Sequence, residues 1–149
     1  MIKFSKTDKK YGCFSNFYPC LVEYEGLLYP NSECVWQSLK TEDYEIRKQF
    51  TAYSAAEAKK QGRRIALRKD WELVKYQFML DICYAKFSQN ENLKEILLST
   101  GNQILVENTT GWHDNTWGNC ECEKCKDKER LNMLGKALMD TRERLKKNS

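Results

Sequence analysis

Short apolar runs, separated by polar and turn residues, predict a few strands. "IKF" (residues 2–4) and "LVEYEGLLYP" (residues 21–30) have the composition of strands, and the second predicts a hairpin that turns near Glu25-Gly26. A later apolar run, "NQILVENT" (residues 102–109), predicts a buried strand. Because these strands are few and short, we expect them to form only a small sheet.

Helix propensity, capping residues and helical spacing of apolar positions predict helices over most of the remaining chain. The predicted helices cover residues 32–51, 54–67, 70–89, 90–100 and 131–147. Asn31 or Ser32 is expected to cap the first, and Gly101 to end the fourth. The longest segment places Trp71, Val74, Phe78, Ile82 and Phe87 on roughly one face. The predicted class is therefore α+β, a mainly helical single domain over residues 1–149 with a small β-sheet.

Composition and charge narrow the class of protein. Hydrophobic residues make up 41% of the chain and charged residues 31%, which is typical of a soluble globular protein. No apolar run approaches the roughly 18–20 residues of a membrane span, and the N-terminus lacks the apolar segment of a signal peptide. We therefore expect a cytoplasmic protein whose seven cysteines are reduced thiols or metal ligands. The net charge of +4 permits anionic ligands without indicating nucleic acid.

A carboxylate and a cation are aligned on the first predicted helix. Glu33 and Lys40 are seven residues apart, so on a continuous helix their side chains lie within about 20° of each other and about 10 Å apart along the axis. This separation is too long for an ion pair but suits the two ends of a small ligand. The alternative is a purely structural role, in which the Glu33 carboxylate interacts favourably with the helix dipole and Lys40 lies in solvent.

Acidic and aromatic residues follow the last predicted strand. Glu107 ends the strand, and Asp114 lies in the following loop between Trp112 and Trp117. Tryptophans beside carboxylates can stack on a flat heterocycle while an acid acts on its glycosidic bond. The alternative is a surface loop fixed by a buried tryptophan.

Six basic residues cluster between Lys59 and Lys69. Such a cluster can hold phosphates, with Arg63, Arg64 and Lys69 as the candidates. A solvated helix face would show the same pattern.

Three thiols crowd the loop that follows Trp117, in the segment "CECEKC". They belong to Cys120, Cys122 and Cys125. Thiols at this density predict a structural zinc site, for which His113, Cys13 or Cys20 can supply the fourth ligand. The alternative is a metal-free loop of reduced or redox-sensitive thiols.

Five segments in this order resemble the YbiA-like, or NADAR, superfamily over nearly the whole chain. They are "YGCFSNFYP", "YPNSECVWQSLKT", "RKDWELVKYQFMLDICYAKF", "LVENTTGWHDNTWG" and "NMLGKALMDTRERL". The most specific features are a Ser-Glu helix start with Lys seven residues after the Glu, and a D-x-x-W-G loop.

This resemblance implies a YbiA-like fold and an N-glycosidase that cleaves the bond between a ribose and a nitrogenous base. The implied substrates are a phosphorylated ribosylamino-pyrimidine intermediate of riboflavin synthesis or ADP-ribosylated guanine in DNA. Carried over by position, the family's site falls on Glu33, Lys40, Trp71, Asp114 and Trp117, with Phe14, Ser15 and Asn16 in an N-terminal loop and Gly118, Asn132 and Gly135 in a closing segment.

The implied mechanism assigns acid-base work and water activation to Glu33 and Asp114, in an order that the sequence leaves open. Lys40 either binds a phosphate or the 2′-hydroxyl group, or attacks the opened ribose as a Schiff-base amine. Trp71 and Trp117 would stack on the base or the sugar, and the hydrolysis requires no cofactor.

Two departures from the family pattern bear on specificity. Cys34 stands where the family often has histidine, and the cysteine cluster occupies a loop that is often glycine-rich. The alternative function is a non-catalytic module that binds ADP-ribose or NAD, which would not need Glu33 together with Asp114. A zinc-stabilised nucleic-acid-binding protein is disfavoured because the net charge is modest.

Overall fold

The computed structural model describes residues 1–148, and within them the class is α+β, as the sequence predicts. In this range the α-helices are Ser32–Ser38 (α1), Tyr44–Gln49 (α2), Ala55–Gly62 (α3), Trp71–Gln89 (α4), Glu91–Ser99 (α5) and Met133–Lys147 (α6). The strands are Ile2–Phe4 (β1), Pro19–Tyr24 (β2), Leu27–Asn31 (β3) and Leu105–Glu107 (β4). None of the helices in the described range has the length and apolar character that crossing a membrane requires.

The strands form two separate pairs rather than the one small sheet that the sequence predicts. Strands β2 and β3 are the predicted antiparallel hairpin, which turns at Glu25 (φ 47°) and Gly26 (φ 83°). Two left-handed residues in a row match the right-handed twist of a hairpin. Strands β1 and β4 pair in parallel, with Phe4 opposite Glu107. This second pair brings the N-terminus beside the strand that precedes the Trp- and Cys-rich loop.

The single helix predicted over residues 32–51 is wrong, because the chain forms two helices there. Asn31 caps α1 by accepting a hydrogen bond from the Cys34 N–H (2.8 Å). A new cap at Asp43, whose side chain accepts from the N–H of Ile46 (3.2 Å), starts α2. Lys40 therefore lies in a turn after α1, and the helical alignment argued from its spacing to Glu33 does not apply.

The predicted helix over residues 54–67 ends early, at Gly62. Beyond it the chain turns back towards α1, where the N–H of Arg68 donates to the carbonyl of Lys40 (2.8 Å). The Arg68 guanidinium group pairs with Asp70 (2.6 Å) instead of extending a helical face. The basic segment is thus a helix end followed by a turn.

One hydrophobic core joins the helices and both strand pairs. Helix α4 packs against α6, α1 and β2. On α4 the buried residues are Trp71, Met79, Ile82, Cys83, Lys86 and Phe87, while Val74 and Phe78 are half-buried. The predicted apolar face is correct at its ends and shifted by one residue in its middle, where Met79 replaces Phe78.

Gly135 allows α6 to approach β4 closely. A Cβ atom at this position would collide with the carbonyl oxygen of Leu105 and the side chain of Asn132. We expect Gly135→Ala to lower the free energy of unfolding by about 1–3 kcal/mol, because backbone atoms must move to admit the methyl group. Urea unfolding measures this, with Lys136→Ala on the exposed face of α6 as control. Equal stability of the two variants would contradict this account of the packing.

Candidate functional site

A cavity of about 490 Å³ opens between α1, α4, the strand β4 and the Trp-rich loop. It is lined by Lys6, Ser15, Asn16, Phe17, Glu33, Trp36, Gln37, Lys40, Lys59, Trp71, Met79, Glu107, Trp112, Asp114, Trp117 and Leu134. Carboxylates, tryptophans and lysines dominate this wall. Its size suits a ligand as large as a nucleotide fragment.

Glu33 is held at the start of α1 with its side chain buried, 8% exposed. The loop before it fixes the position, because the N–H of Glu33 donates to the carbonyl of Asn16 (2.9 Å). The Gln37 amide donates to Glu33 Oε1 (2.8 Å). Burial raises the pKa of Glu33, and the hydrogen bond from Gln37 and the charges of Lys59 and Lys40 oppose that rise only in part.

Glu107 is a second carboxylate in the wall, at the last residue of β4. Burial raises its pKa to about 8, and the neighbouring charges of Asp114 and Glu33 add to the rise. A carboxyl group with this pKa keeps its proton at neutral pH. In the sequence, Glu107 is distinguished only as the polar residue that ends an apolar strand. That pattern does not by itself predict a catalytic role.

Asp114 is fixed by the turn that it caps. Its Oδ1 atom accepts hydrogen bonds from the N–H groups of Thr116 (3.0 Å) and Trp117 (2.9 Å). The Thr109 hydroxyl donates to the Asp114 carbonyl oxygen (2.6 Å). Because Asp114 organises the same turn that presents Trp117, the two side chains that line the cavity are positioned together.

The aromatic side of the cavity is a contiguous tryptophan cluster. The Trp36 ring lies 4.7 Å from Trp71 and 4.7 Å from Trp117, measured between ring centroids. Trp36 and Trp71 are each 7% exposed, whereas Trp117 is half-buried and Trp112 is 49% exposed at the rim. A flat base therefore finds more accessible ring surface on Trp117 and Trp112 than on Trp71.

Three lysines supply the positive charge of the wall. Lys40 comes from the turn after α1, Lys59 from α3 and Lys6 from the segment after β1. Burial lowers the pKa of Lys40, Glu33 opposes the change and Arg63 adds to it. Lys6 and Lys59 stand over the ring of Phe17, with Nζ 4.9 and 6.0 Å from its centroid.

Ser15 and Asn16 of the N-terminal loop line the cavity, whereas Phe14 does not. Phe14 is buried in the core and packs edge-on against Phe4 at 5.5 Å. It thereby anchors the loop from below instead of contacting a ligand. The buried amine of Lys86 donates to the carbonyl of Ser15 (2.9 Å), and burial lowers the pKa of this lysine.

Gly118 and Asn132 also lie outside the cavity wall. A Cβ atom on Gly118 would meet the carbonyl oxygen of Glu107 at 2.7 Å, so this glycine permits close approach of the loop to β4. Asn132 accepts a hydrogen bond from the N–H of Glu107 (3.2 Å) and donates to the carbonyl of Leu105 (2.8 Å). Both residues therefore position Glu107.

The predicted phosphate ligands Arg63, Arg64 and Lys69 are exposed and lie outside the cavity wall. The early end of α3 at Gly62 places them in a turn at the surface. From the same basic segment Lys59 lines the cavity instead.

The structure brings the three clustered thiols to His113, rather than to Cys13 or Cys20. In the described part of the chain this group consists of His113, Cys120, Cys122 and Cys125, whose ligand atoms lie within 4.8 Å of one another.

Several wall residues were missed by the sequence reasoning. Trp36 and Gln37 follow Glu33 by three and four residues, a helical spacing that does place them on the same face. Lys6, Phe17, Met79 and Leu134 reach the cavity only through long-range packing, for which the local sequence carries no signal.

This chain is similar in sequence and in structure to known proteins. A sequence profile described as the NADAR domain matches residues 3–146. The chain is 36% identical to an N-glycosidase of Nostoc punctiforme, over 97% of this chain and 92% of that protein. It is 36% identical to the N-glycosidase YbiA of Escherichia coli, over 97% of this chain and 88% of that protein.

A riboflavin biosynthesis protein of Vibrio vulnificus is 33% identical over 99% of this chain, which spans 39% of that longer protein. The solution structure of Escherichia coli YbiA superposes with a TM-score of 0.83 at 35% identity, covering 99% of this chain and 85% of that one.

Proposed function

The chain belongs to the NADAR domain family, and on that premise we propose that it hydrolyses the N-glycosyl bond between a nitrogenous base and either a phosphorylated ribose or the ribose of an ADP-ribosyl group. One observation carries the proposal: three buried or half-buried carboxylates, Glu33, Glu107 and Asp114, line the same cavity as a tryptophan cluster. The tryptophans can stack on a base, the carboxylates can donate and accept the protons that cleavage of the bond requires, and the lysines can bind a phosphate.

The reaction breaks the bond between the ribose C1′ atom and the base nitrogen, and the bonding electrons leave with the base. The base nitrogen takes up a proton, while positive charge develops on C1′ and the ring oxygen. Water then adds to C1′ and gives its proton to a carboxylate. Two protonation states are therefore needed at once, one carboxylic acid and one carboxylate.

The environments of the carboxylates suggest how these roles divide. Glu107 has a pKa of about 8 and so carries a proton to donate at neutral pH. Asp114, which accepts two backbone hydrogen bonds, and Glu33, which accepts one from Gln37, are placed to stabilise the positive sugar and to activate water. This division keeps water activation with Glu33 and Asp114, as expected from the sequence, and moves proton donation from that pair to Glu107.

Lys40 can act either as a nucleophilic amine or as a phosphate-binding cation. Its lowered pKa favours a neutral amine that can attack C1′ of the ring-opened substrate, where the ribose is joined to the base as an imine. The base then leaves with its nitrogen as an amine, the sugar remains as a Schiff base on Lys40, and water hydrolyses this Schiff base to free the sugar and the lysine. As an ammonium group it would instead bind a phosphate beside Lys59 and Lys6.

Assays with substrates of two chemical classes test which N-glycosyl bond the protein cleaves. The candidate substrates are a ribosylamino-pyrimidine phosphate and ADP-ribosylated guanine in DNA. Incubation with each in parallel, followed by chromatography of the products, identifies whether the first releases its base or the second releases ADP-ribose from the strand. Release from neither, together with tight binding of ADP-ribose or NAD, would favour a non-catalytic binding module.

The raised pKa of Glu107 makes stability depend on pH in a defined window. Its usual pKa is 4.5 and its folded value is about 8, so between these values the folded protein holds the proton more tightly than the unfolded chain. The free energy of unfolding should therefore fall as pH rises from about 5 to about 8, by on the order of a few kcal/mol.

Glu107→Gln should flatten this dependence, because the amide cannot ionise. Urea unfolding at about pH 5, 6.5 and 8 measures it. Glu33 contributes a fall of the same sign, so the slope is reduced rather than abolished. The exposed Glu91→Gln serves as control and should keep the parental slope. An unchanged slope in Glu107→Gln would show that Glu107 is not held protonated in the folded protein.

A further inference from the structure

We propose that His113, Cys120, Cys122 and Cys125 bind one structural zinc ion. The Nδ1 atom of His113 lies 3.6 Å from the sulfur of Cys120, 3.2 Å from that of Cys122 and 3.4 Å from that of Cys125. All four ligand atoms lie within 4.8 Å of one another. One nitrogen and three sulfurs thus surround a single point.

The nitrogen–sulfur separations match the corresponding edges of a zinc tetrahedron. Zn–S bonds of about 2.3 Å and Zn–N bonds of about 2.0–2.1 Å, at tetrahedral angles, place a nitrogen about 3.5 Å from each sulfur and the sulfurs about 3.8 Å apart. The three observed nitrogen–sulfur distances of 3.2–3.6 Å bracket the first value. A zinc ion can therefore enter with only small movements of the side chains.

The backbone presents the ligands toward one another. Cys122 and Cys125 are the ends of a tight turn, in which the Cys125 N–H donates to the Cys122 carbonyl (3.0 Å). The Asn115 side chain accepts from the N–H of Cys120 (2.8 Å) and holds that cysteine in place. His113 has φ 57°, a left-handed conformation that is uncommon for a residue with a side chain.

The donor set selects the metal and its role. Three thiolates and an imidazole are typical ligands of tetrahedral zinc, whereas magnesium and calcium prefer oxygen. Four protein ligands leave no open position for water, so the ion would stabilise structure and take no part in the chemistry. Cys120 and Cys125 are fully buried, which also shields the site.

The site would fix the loop that forms one side of the cavity. His113 immediately precedes Asp114, and Cys120 follows Trp117 by three residues, so the ligands bracket both cavity residues. This consequence rests on the proposed function, but the metal site itself does not. Metal content is measured without substrate, so failure of either proposal is visible independently.

Elemental analysis of the full chain tests the site. The protein is equilibrated with zinc, and loosely held metal is removed by gel filtration. We expect about one zinc per chain in the parent and in Cys20→Ser, which removes a thiol outside the cluster, and less than about a tenth in Cys122→Ser. A chelator should lower the melting temperature of the parent and of Cys20→Ser, and leave that of Cys122→Ser unchanged.

Cobalt substitution provides a second readout that does not depend on the folding of a variant. Parent protein loaded with Co²⁺ should show thiolate-to-metal charge transfer and the intense visible absorption of tetrahedral cobalt, which added zinc abolishes. Parent protein that retains less than about a tenth of an equivalent of zinc and shows no such absorption would overturn the proposal. Full zinc retention in a folded Cys122→Ser variant would do the same, as would a disulfide within the cluster that persists under reducing conditions.

Discussion

Glu33→Gln and Asp114→Asn should each lower kcat by about 10²–10⁴-fold while the protein stays folded. Both changes preserve the volume of the side chain and remove its charge. Both side chains line the cavity, Glu33 from the start of α1 and Asp114 from the loop after β4. An amide at either position can neither take up the proton of water nor stabilise the positive sugar. Initial rates of N-glycosyl bond cleavage measure the loss, and the melting temperature reports whether the fold survives.

Matched controls separate this effect from a general loss of carboxylates. Glu91→Gln and Asp127→Asn alter exposed acids away from the cavity and should keep the parental rate. Near-normal rates in both cavity variants would show that the carboxylates have been assigned to the wrong roles.

Lys40→Arg should abolish borohydride trapping of substrate if Lys40 forms a Schiff base. Borohydride reduces the imine formed between the Lys40 amine and C1′ to a stable secondary amine, so parent protein gains the mass of the sugar during turnover. A guanidinium group keeps the positive charge but cannot form this imine under the same conditions. We expect kcat to fall by at least about 10²-fold in the variant, in parallel with the loss of the adduct.

Lys59→Arg is the matched control, because Lys59 lines the same cavity from α3. The Lys59→Arg variant should still form the adduct that borohydride traps on Lys40. A Lys40→Arg variant with full activity, and a parent protein that gains no mass, would leave Lys40 with phosphate binding alone.

Those parts of the fold that depend on neighbouring residues could be predicted from the sequence. The turn at Glu25-Gly26, the cap at Asn31 and the helix end at Gly101 each follow from side-chain or glycine chemistry within a few residues. The break after α1 was missed because Thr41 and Asp43 favour a new cap over a continuing helix, a close competition that the pattern does not resolve.

The site required information that lies far apart in the chain. Parallel pairing of β1 with β4 sets Phe4 beside Glu107 and carries Lys6 to the cavity, across about a hundred residues. No local signal specifies that pairing. The spacing of the cysteines did indicate a cluster, but only the loop conformation selects His113 over Cys13 and Cys20 as its neighbour.

Product analysis of two parallel turnover mixtures tests the central claim most directly. Purified protein is incubated with a ribosylamino-pyrimidine phosphate and, separately, with DNA that carries ADP-ribosylated guanine, and base and sugar products are quantified together. Hydrolysis of the N-glycosyl bond predicts one of two results with parent protein: free base and phosphorylated ribose in equal amounts from the pyrimidine substrate, or free ADP-ribose and unmodified guanine within the strand in equal amounts from the DNA. Glu33→Gln should form these products about 10²–10⁴-fold more slowly. Intact substrate with parent protein in both mixtures, or cleavage at another bond that leaves the base attached to the phosphorylated ribose or to the ribose of the ADP-ribosyl group, would contradict it.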